Sequence, residues 1–123
     1  MNEARANRIL AALKEQGVDQ MLITDPMSIC YLTGISMAPI ERFYALLLKA
    51  DGHHYYFLNH LFNVPGDVGV EKVWYSDTDP VPEIVAARLD KNAVLGVGWA
   101  IILPEASKQN TPLFCTVHHV SLL

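Results

Sequence analysis

Two apolar segments separated by a turn-forming tripeptide constrain the fold more than any other feature of the sequence. Residues 42–49 and 54–58 are dense in apolar side chains, and Ala50-Asp51-Gly52 lies between them. An Asp-Gly pair readily supplies the positive φ angle that a tight hairpin turn requires. The pattern predicts an antiparallel β-hairpin, and a sheet that contains it cannot be purely parallel.

The sequence around this hairpin alternates between helical and strand patterns. Ala6, Ile9, Leu10 and Leu13 recur at helical spacing and are followed by Gly17, a residue typical of helix C-termini. A strand is predicted over 20–24, which Asp25-Pro26 ends, and a short helix over 28–33, which Gly34 ends. After a strand over 71–76, Asp79 is predicted to cap a helix that Pro80 opens and that ends near Leu89. The remaining predicted elements are a strand over 93–98, a short helix over 104–109 and a strand over 113–118. Together they predict one α/β domain with a mixed sheet.

Composition narrows the functional classes. Apolar residues make up 51% of the 123 positions, and the mean hydropathy is +0.20. This richness predicts either a sheet that is buried on both faces or an apolar patch that a partner covers. The net charge is −4 and no block of Lys or Arg is present, so we do not expect a nucleic-acid partner.

The termini and the cysteines indicate an intracellular protein. Residues 1–17 lack the apolar core of a signal peptide, and no apolar run reaches the length of a membrane span. Cys30 and Cys115 lie in apolar surroundings, where a free buried thiol in a reducing compartment is the simplest interpretation. We therefore expect a soluble, cytoplasmic protein without a membrane partner.

The five histidines do not predict a metal site. His54 and His60 would be roughly 20 Å apart if residues 53–60 stay extended, whereas zinc needs each ligand nitrogen within about 2.1 Å. His53 and His54 are adjacent, as are His118 and His119, so the members of each pair point to opposite faces of a strand. We expect strand-end and surface histidines and no metal in this chain.

Two glycine-containing motifs have structural interpretations that outweigh the chemical ones. Residues 34–38 (GISMA) approximate a hydrolase nucleophile elbow, but Ser36 follows a predicted helix, whereas the elbow places its serine between a strand and a helix. Residues 96–98 (GVG) begin like a dinucleotide-binding loop but lack its third glycine. A loop serine and a tight exit from the sheet account for these residues.

One acidic cluster also has two interpretations. Asp77, Asp79 and Glu83 could hold a hard cation through their carboxylates. The same residues suit the start of a helix, where negative charge meets the positive end of the helix dipole. Capping explains them without a ligand.

The first half of the chain carries a specific combination of motifs. A helix ending in Gly17-Val18-Asp19 precedes the strand MLIT, and Asp25-Pro26-x-x-Ile29-x-Tyr31-Leu32-Thr33-Gly34 follows. Glu41-Arg42 then leads into the strand FYALLLK and the Ala-Asp-Gly turn. In this order of parts the chain resembles the N-terminal domain of the creatinase/prolidase/aminopeptidase P family. After residue 52 the similarity lies in element order more than in motif.

The resemblance implies a ribonuclease-H-like α/β fold with a mixed sheet of about six strands and flanking helices. In this family the N-terminal domain is not the catalyst. A C-terminal pita-bread domain binds a pair of metal ions, usually manganese, cobalt or zinc, and cleaves bonds to proline; in creatinase it hydrolyses creatine without metal. No matching ligand set occurs in residues 1–123. We therefore expect an N-terminal domain alone, without catalytic residues, cofactor or the pita-bread domain.

The resemblance also implies partners: the chain's own catalytic domain, a second subunit in a homodimer, and a proline-containing peptide in the neighbouring subunit's pocket. Arg42, at the end of a loop over 35–42, is the candidate for reaching that pocket, with Tyr31 behind it as a possible second residue. The simpler alternatives are that Arg42 pairs with Glu41 on the surface and that Tyr31 packs in the core.

Three functional hypotheses follow. The leading one is a non-catalytic domain of an Xaa-Pro dipeptidase or aminopeptidase that supports dimerisation and closes the substrate pocket. The second is a stand-alone binding domain of the same fold without peptidase activity. The third is a small independent hydrolase using Ser36, which failure of a serine-reactive probe to label the chain would exclude.

Overall fold

A computed structural model describes residues 1–91 and 93–97 fully, together with the backbone of 98, 101–102, 114–115 and 118–120. Its helices are α1 (Glu3–Glu15), α2 (Pro26–Thr33) and α3 (Val81–Ala86). Its strands are β1 (Gln20–Ile23), β2 (Ala45–Lys49), β3 (Tyr55–Asn59), β4 (Glu71–Tyr75), β5 (Leu95–Gly98), β6 (Ile101–Ile102), β7 (Phe114–Cys115) and β8 (His118–Val120).

Six strands form one mixed sheet in the order β4-β3-β2-β1-β5-β8. Strands β1, β3, β4 and β5 run in one direction, whereas β2 and β8 run antiparallel to their neighbours. Strands β6 and β7 pair separately. The predicted hairpin is β2 and β3, and Gly52 in its turn has φ = 86°. The predicted fold class, an α/β domain with a mixed sheet of about six strands, is confirmed.

Local side-chain chemistry sets the ends of the first two helices. Asn2 caps α1 by accepting a hydrogen bond from the backbone N–H of Arg5 at 3.0 Å. Asp25 caps α2 by accepting from the backbone N–H of Ser28 at 3.0 Å, and Pro26 occupies the first turn. Asp25-Pro26 therefore not only ends β1 but also opens α2. Gly34 ends α2 in the left-handed region, at φ = 79°.

Both faces of the central strands are buried. Along β2, Leu46 and Leu48 face a cluster that includes the buried face of α1, whereas Ala45 and Leu47 face a second cluster that α3 helps to cover. This alternation follows from the two-residue period of a strand. It accounts for the high apolar fraction of so short a chain.

The structure corrects the predicted boundaries of β2 and α3, and it moves the start of α2 to Pro26 and that of β5 to Leu95. The strand predicted from residue 42 begins at Ala45, so Arg42 lies in the preceding loop. Asp79 does not cap a helix, because its carboxylate accepts from the backbone N–H of Ser76 at 2.8 Å. Helix α3 begins after Pro80 without a side-chain cap and ends at Ala86 rather than near Leu89.

The C-terminal predictions are only partly covered. The helix predicted over 104–109 lies outside the described residues. The strand predicted over 113–118 corresponds in part to β7 and β8, which pair with β6 and β5 respectively. Among the helices in the described residues, none combines the length and apolar character that crossing a bilayer requires.

Candidate functional site

The candidate site lies at the sheet edge where the parallel strands β3 and β4 end. Arg42 projects there from the loop between α2 and β2, Asn59 is the last residue of β3, and Asp77 follows β4 by two positions. Strand register places Asn59 directly beside Tyr75, the last residue of β4. Three segments that are distant in sequence therefore meet at one edge.

Arg42 forms a two-pronged ion pair with Asp77. Its Nε donates to one carboxylate oxygen at 3.2 Å, and its Nη2 donates to the other at 3.2 Å. Asn59 Nδ2 donates to the first of these oxygens at 2.7 Å. Asn59 is 1% exposed, and its own side-chain oxygen accepts from the backbone N–H of Leu61 at 2.9 Å. A buried amide that is hydrogen-bonded through both its nitrogen and its oxygen thus anchors an exposed ion pair.

The electrostatics of the pair follow from these contacts. The hydrogen bonds from Arg42 and Asn59 hold the pKa of the Asp77 carboxyl below its ordinary value. The hydrogen bonds to Asp77, and then the attraction of its charge, raise the pKa of Arg42. Both side chains therefore stay charged across the physiological pH range. At Tyr75, burial raises the pKa of the hydroxyl, which keeps it protonated and able to donate.

The backbone beside Arg42 is held from two directions. The Tyr75 hydroxyl donates to the carbonyl of Phe43, and the N–H of Arg42 donates to the carbonyl of Pro39 at 3.1 Å. The Phe43 ring packs on Tyr75 with centroids 6.2 Å apart. The base of the loop is therefore fixed to β4.

The tip of the same loop is strained and exposed. Ile40 adopts φ = 58°, and its side chain is 89% exposed. A β-branched residue in the left-handed region is a genuine backbone outlier, and such outliers cluster at functional sites. Leu61, two residues after β3, is 70% exposed. The site thus combines a fixed cation with exposed apolar side chains.

Tyr31 lies elsewhere, in α2. It packs against the core cluster, the guanidinium carbon of Arg5 lies 4.0 Å from its ring centroid, and Arg5 also donates to its backbone carbonyl at 2.7 Å. These contacts tie α2 to α1. They agree with the core-packing alternative for Tyr31 and place it in a different neighbourhood from Arg42.

The alternative interpretation, in which Arg42 pairs with Glu41 on the surface, does not describe the contact that forms. The guanidinium pairs with Asp77 and not with the adjacent Glu41. Asp77 was assigned to a helix start together with Asp79, but α3 begins only at Val81. Glu83 does lie in the first turn of that helix, as predicted.

The other sequence candidates keep structural roles. Ser36 is exposed in the loop after α2, without the preceding strand that a nucleophile elbow needs. Gly96 and Gly98 lie within β5, paired with β1. Cys30 is a half-buried free thiol. Within residues 1–91 and 93–98, no three His, Cys, Asp or Glu side chains come together as a metal site.

Similarity to known proteins agrees with this fold. Residues 5–107 match the family model described as the Creatinase/Prolidase N-terminal domain. The chain belongs to this family. A crystal structure of a proline dipeptidase from Streptococcus pneumoniae is 26% identical to this domain, with a TM-score of 0.61, and the match covers 74% of this chain and 67% of that one. The creatinase/prolidase N-terminal domain of an X-Pro dipeptidase from Streptococcus pyogenes is 24% identical, with a TM-score of 0.60, over 72% and 69% of the two chains.

Curated relatives match over a shorter region. An uncharacterised peptidase of Staphylococcus aureus is 38% identical to this creatinase/prolidase N-terminal domain over 53 residues, which is 43% of this chain. The match spans 15% of that relative's length.

The sequence did not reveal Asn59 and Asp77 as partners of Arg42 in the candidate site. Both directly follow apolar strand patterns, and the ends of parallel strands share an edge, so strand order would have brought them together. That order was not available from the sequence, because the parallel pairing of β3 and β4 leaves no hairpin signal.

Proposed function

We propose that this creatinase/prolidase N-terminal domain is the non-catalytic domain of an Xaa-Pro dipeptidase or aminopeptidase. It contributes to a homodimer and closes over the substrate pocket of the neighbouring subunit. The substrate is a proline-containing peptide, and the divalent metal pair (manganese, cobalt or zinc) belongs to a catalytic domain outside this chain. Family membership supports this proposal, as do relatives described as X-Pro and proline dipeptidases.

The proposal rests on the fixed orientation and the partial exposure of the Arg42 side chain. Its guanidinium is held in one orientation at the sheet edge while 41% of the side chain remains exposed. A planar cation recognises a carboxylate through two hydrogen bonds, which a point charge such as lysine does not reproduce. A peptide carboxylate is therefore a suitable ligand for the exposed part of Arg42.

Kinetics of the full-length enzyme test this role. Arg42→Ala is expected to raise KM for an Xaa-Pro dipeptide by about tenfold, the loss of one charge-assisted contact, with little change in kcat. Glu71→Gln is the matched control, because it alters another exposed carboxylate contact, to His53 Nε2 at 3.0 Å, at the opposite end of β4 from the site. An unchanged KM in Arg42→Ala would remove the pocket role.

The second candidate is a stand-alone binding domain of the same fold. The exposed side chains of Met27, Ile40 and Leu61 favour it, because exposed apolar side chains near strand ends suit a protein partner. An antibody against this domain, used on a lysate of the source cell, separates the two proposals. A band much heavier than 13.7 kDa supports the peptidase, and a band at that mass supports the stand-alone domain. The cytoplasmic location stays a prediction.

A further inference from the structure

The ion pair uses only one edge of the Arg42 guanidinium. An arginine side chain carries five N–H donors arranged around a plane, so it has two edges that can each bind a carboxylate in two-pronged fashion. Asp77 takes the edge formed by Nε and Nη2. Asp77 therefore leaves the edge formed by Nη1 and Nη2 unoccupied, and no described residue accepts a hydrogen bond from Nη1.

The carboxylate of Asp77 is itself held by Asn59, at the end of β3. Asn59 holds one carboxylate oxygen of Asp77, and the N–H of Leu61 holds the amide of Asn59. Asn59 is buried at the end of β3, so the sheet fixes the orientation of Asp77. Through Asp77 it also fixes the orientation of Arg42. A cation that is already ordered loses less conformational freedom when it binds a ligand.

We infer that Asp77 and Asn59 are positioning residues that aim the Nη1–Nη2 edge of Arg42 at the carboxylate of a peptide ligand. This inference rests on the proposed function and adds the two residues that orient Arg42 for binding a carboxylate. Asp77 then acts through Arg42 and does not touch the substrate.

A competing effect has the opposite sign. The charge of Asp77 also repels an incoming carboxylate, so its removal would tighten binding if repulsion dominated. Both members of the ion pair are exposed, with 41% and 56% of their side chains accessible. Solvent and salt screen such charges strongly. The loss of orientation is therefore expected to outweigh the relief of repulsion.

The test compares four variants of the full-length enzyme with wild type: Arg42→Ala, Asp77→Ala, Asp77→Asn and the double variant Arg42→Ala/Asp77→Ala. Asp77→Ala is expected to raise KM about three- to tenfold without lowering kcat, because ground-state positioning is lost. Asp77→Asn keeps one acceptor for Arg42 and should give an intermediate KM. The double variant should match Arg42→Ala alone, because Asp77 has no role once Arg42 is gone.

The outcomes separate the two claims. If Arg42→Ala leaves KM unchanged, the proposed function fails and this inference fails with it. If Arg42→Ala raises KM but Asp77→Ala leaves it unchanged or lowers it, the proposed function stands and the positioning role is overturned. A further rise in KM when Asp77→Ala is added to Arg42→Ala would also overturn it, because the effect of Asp77 would then be independent of Arg42.

Discussion

Arg42 and Asp77 lie 35 positions apart in the chain and are joined by two hydrogen bonds of 3.2 Å. The first precedes β2 and the second follows β4, so the pair reaches across the end of β3, which lies between them in the sheet. Asn59, the last residue of β3, fills this gap by donating to Asp77. The sheet therefore fixes the orientation of a cation that the loop alone would leave free.

Ile40 is expected to be a source of local instability. Its φ of 58° strains a β-branched residue, and its exposed side chain gains little from packing. Replacing it with glycine, which tolerates this conformation, should stabilise the domain by about 1 kcal/mol despite the greater freedom of the unfolded chain. Urea unfolding of the two proteins measures the difference.

Ala38→Gly is the matched control for this prediction. Ala38 lies in the same loop and is exposed, but its φ is not positive. The same type of change should therefore destabilise the domain or leave it unaltered. Equal stabilisation by both substitutions would contradict the strain at Ile40.

His54 is expected to make the stability of the domain pH-dependent. It is 5% exposed, and its Nδ1 accepts a hydrogen bond from the backbone N–H of Lys49 at 3.0 Å, which requires the neutral ring. Burial lowers the pKa of His54 below its ordinary value of 6.5, while Glu3 and Asp51 oppose this and His53 reinforces it. Because the unfolded state binds the proton more readily, the free energy of unfolding should decrease as the pH falls below about 6.5.

Unfolding titrations between pH 5 and pH 8 test the role of His54, with His54→Asn as the informative variant. An asparagine oxygen can replace Nδ1 as the acceptor without titrating, so this variant should lose much of the pH dependence. His60→Asn alters an exposed histidine that stacks on Trp74 and should retain it. A wild-type pH profile in His54→Asn would assign the effect to other groups.

The hydroxyls of Tyr44 and Tyr56 form a buried hydrogen bond in the core beneath the helices. Tyr44→Phe should cost about 1 kcal/mol, because it removes this hydrogen bond while the Tyr56 hydroxyl keeps its contact with Thr33. Tyr55→Phe, on the neighbouring half-buried residue, should change stability by less than about 0.5 kcal/mol. Chemical denaturation of both variants gives the comparison, and equal costs would show that the buried hydroxyl pair contributes nothing specific.

Local patterns predicted the elements of this fold well where the cause of the structure is itself local. The periodicity of α1, the Asp-Gly turn of the hairpin and the left-handed Gly34 are all visible in short segments, and each was confirmed. Asp79 shows the limit of the approach. An acidic residue before proline resembles a helix cap, but the carboxylate of Asp79 accepts a hydrogen bond from the nearby N–H of Ser76 instead.

The candidate site was predictable only in part, because some of its contacts join residues that are distant in sequence. Arg42 stood out because it accompanies a family motif in one continuous segment. Its partners did not, because Asn59 and Asp77 reach it through the parallel pairing of β3 and β4, a non-local contact. The sequence alone does not indicate that Arg42 pairs with Asp77, 35 positions away, because the adjacent Glu41 is also an acidic residue.

The most direct test of the central claim is whether Arg42 acts on the pocket of the other subunit. Hybrid dimers would combine one subunit carrying Arg42→Ala and an intact catalytic domain with one carrying wild-type Arg42 and an inactivated catalytic domain. Two affinity tags allow their purification, and KM for an Xaa-Pro dipeptide is then measured. The account predicts that KM returns from the raised value of the Arg42→Ala homodimer to the wild-type value. A KM that stays raised in the hybrid would contradict action across the dimer.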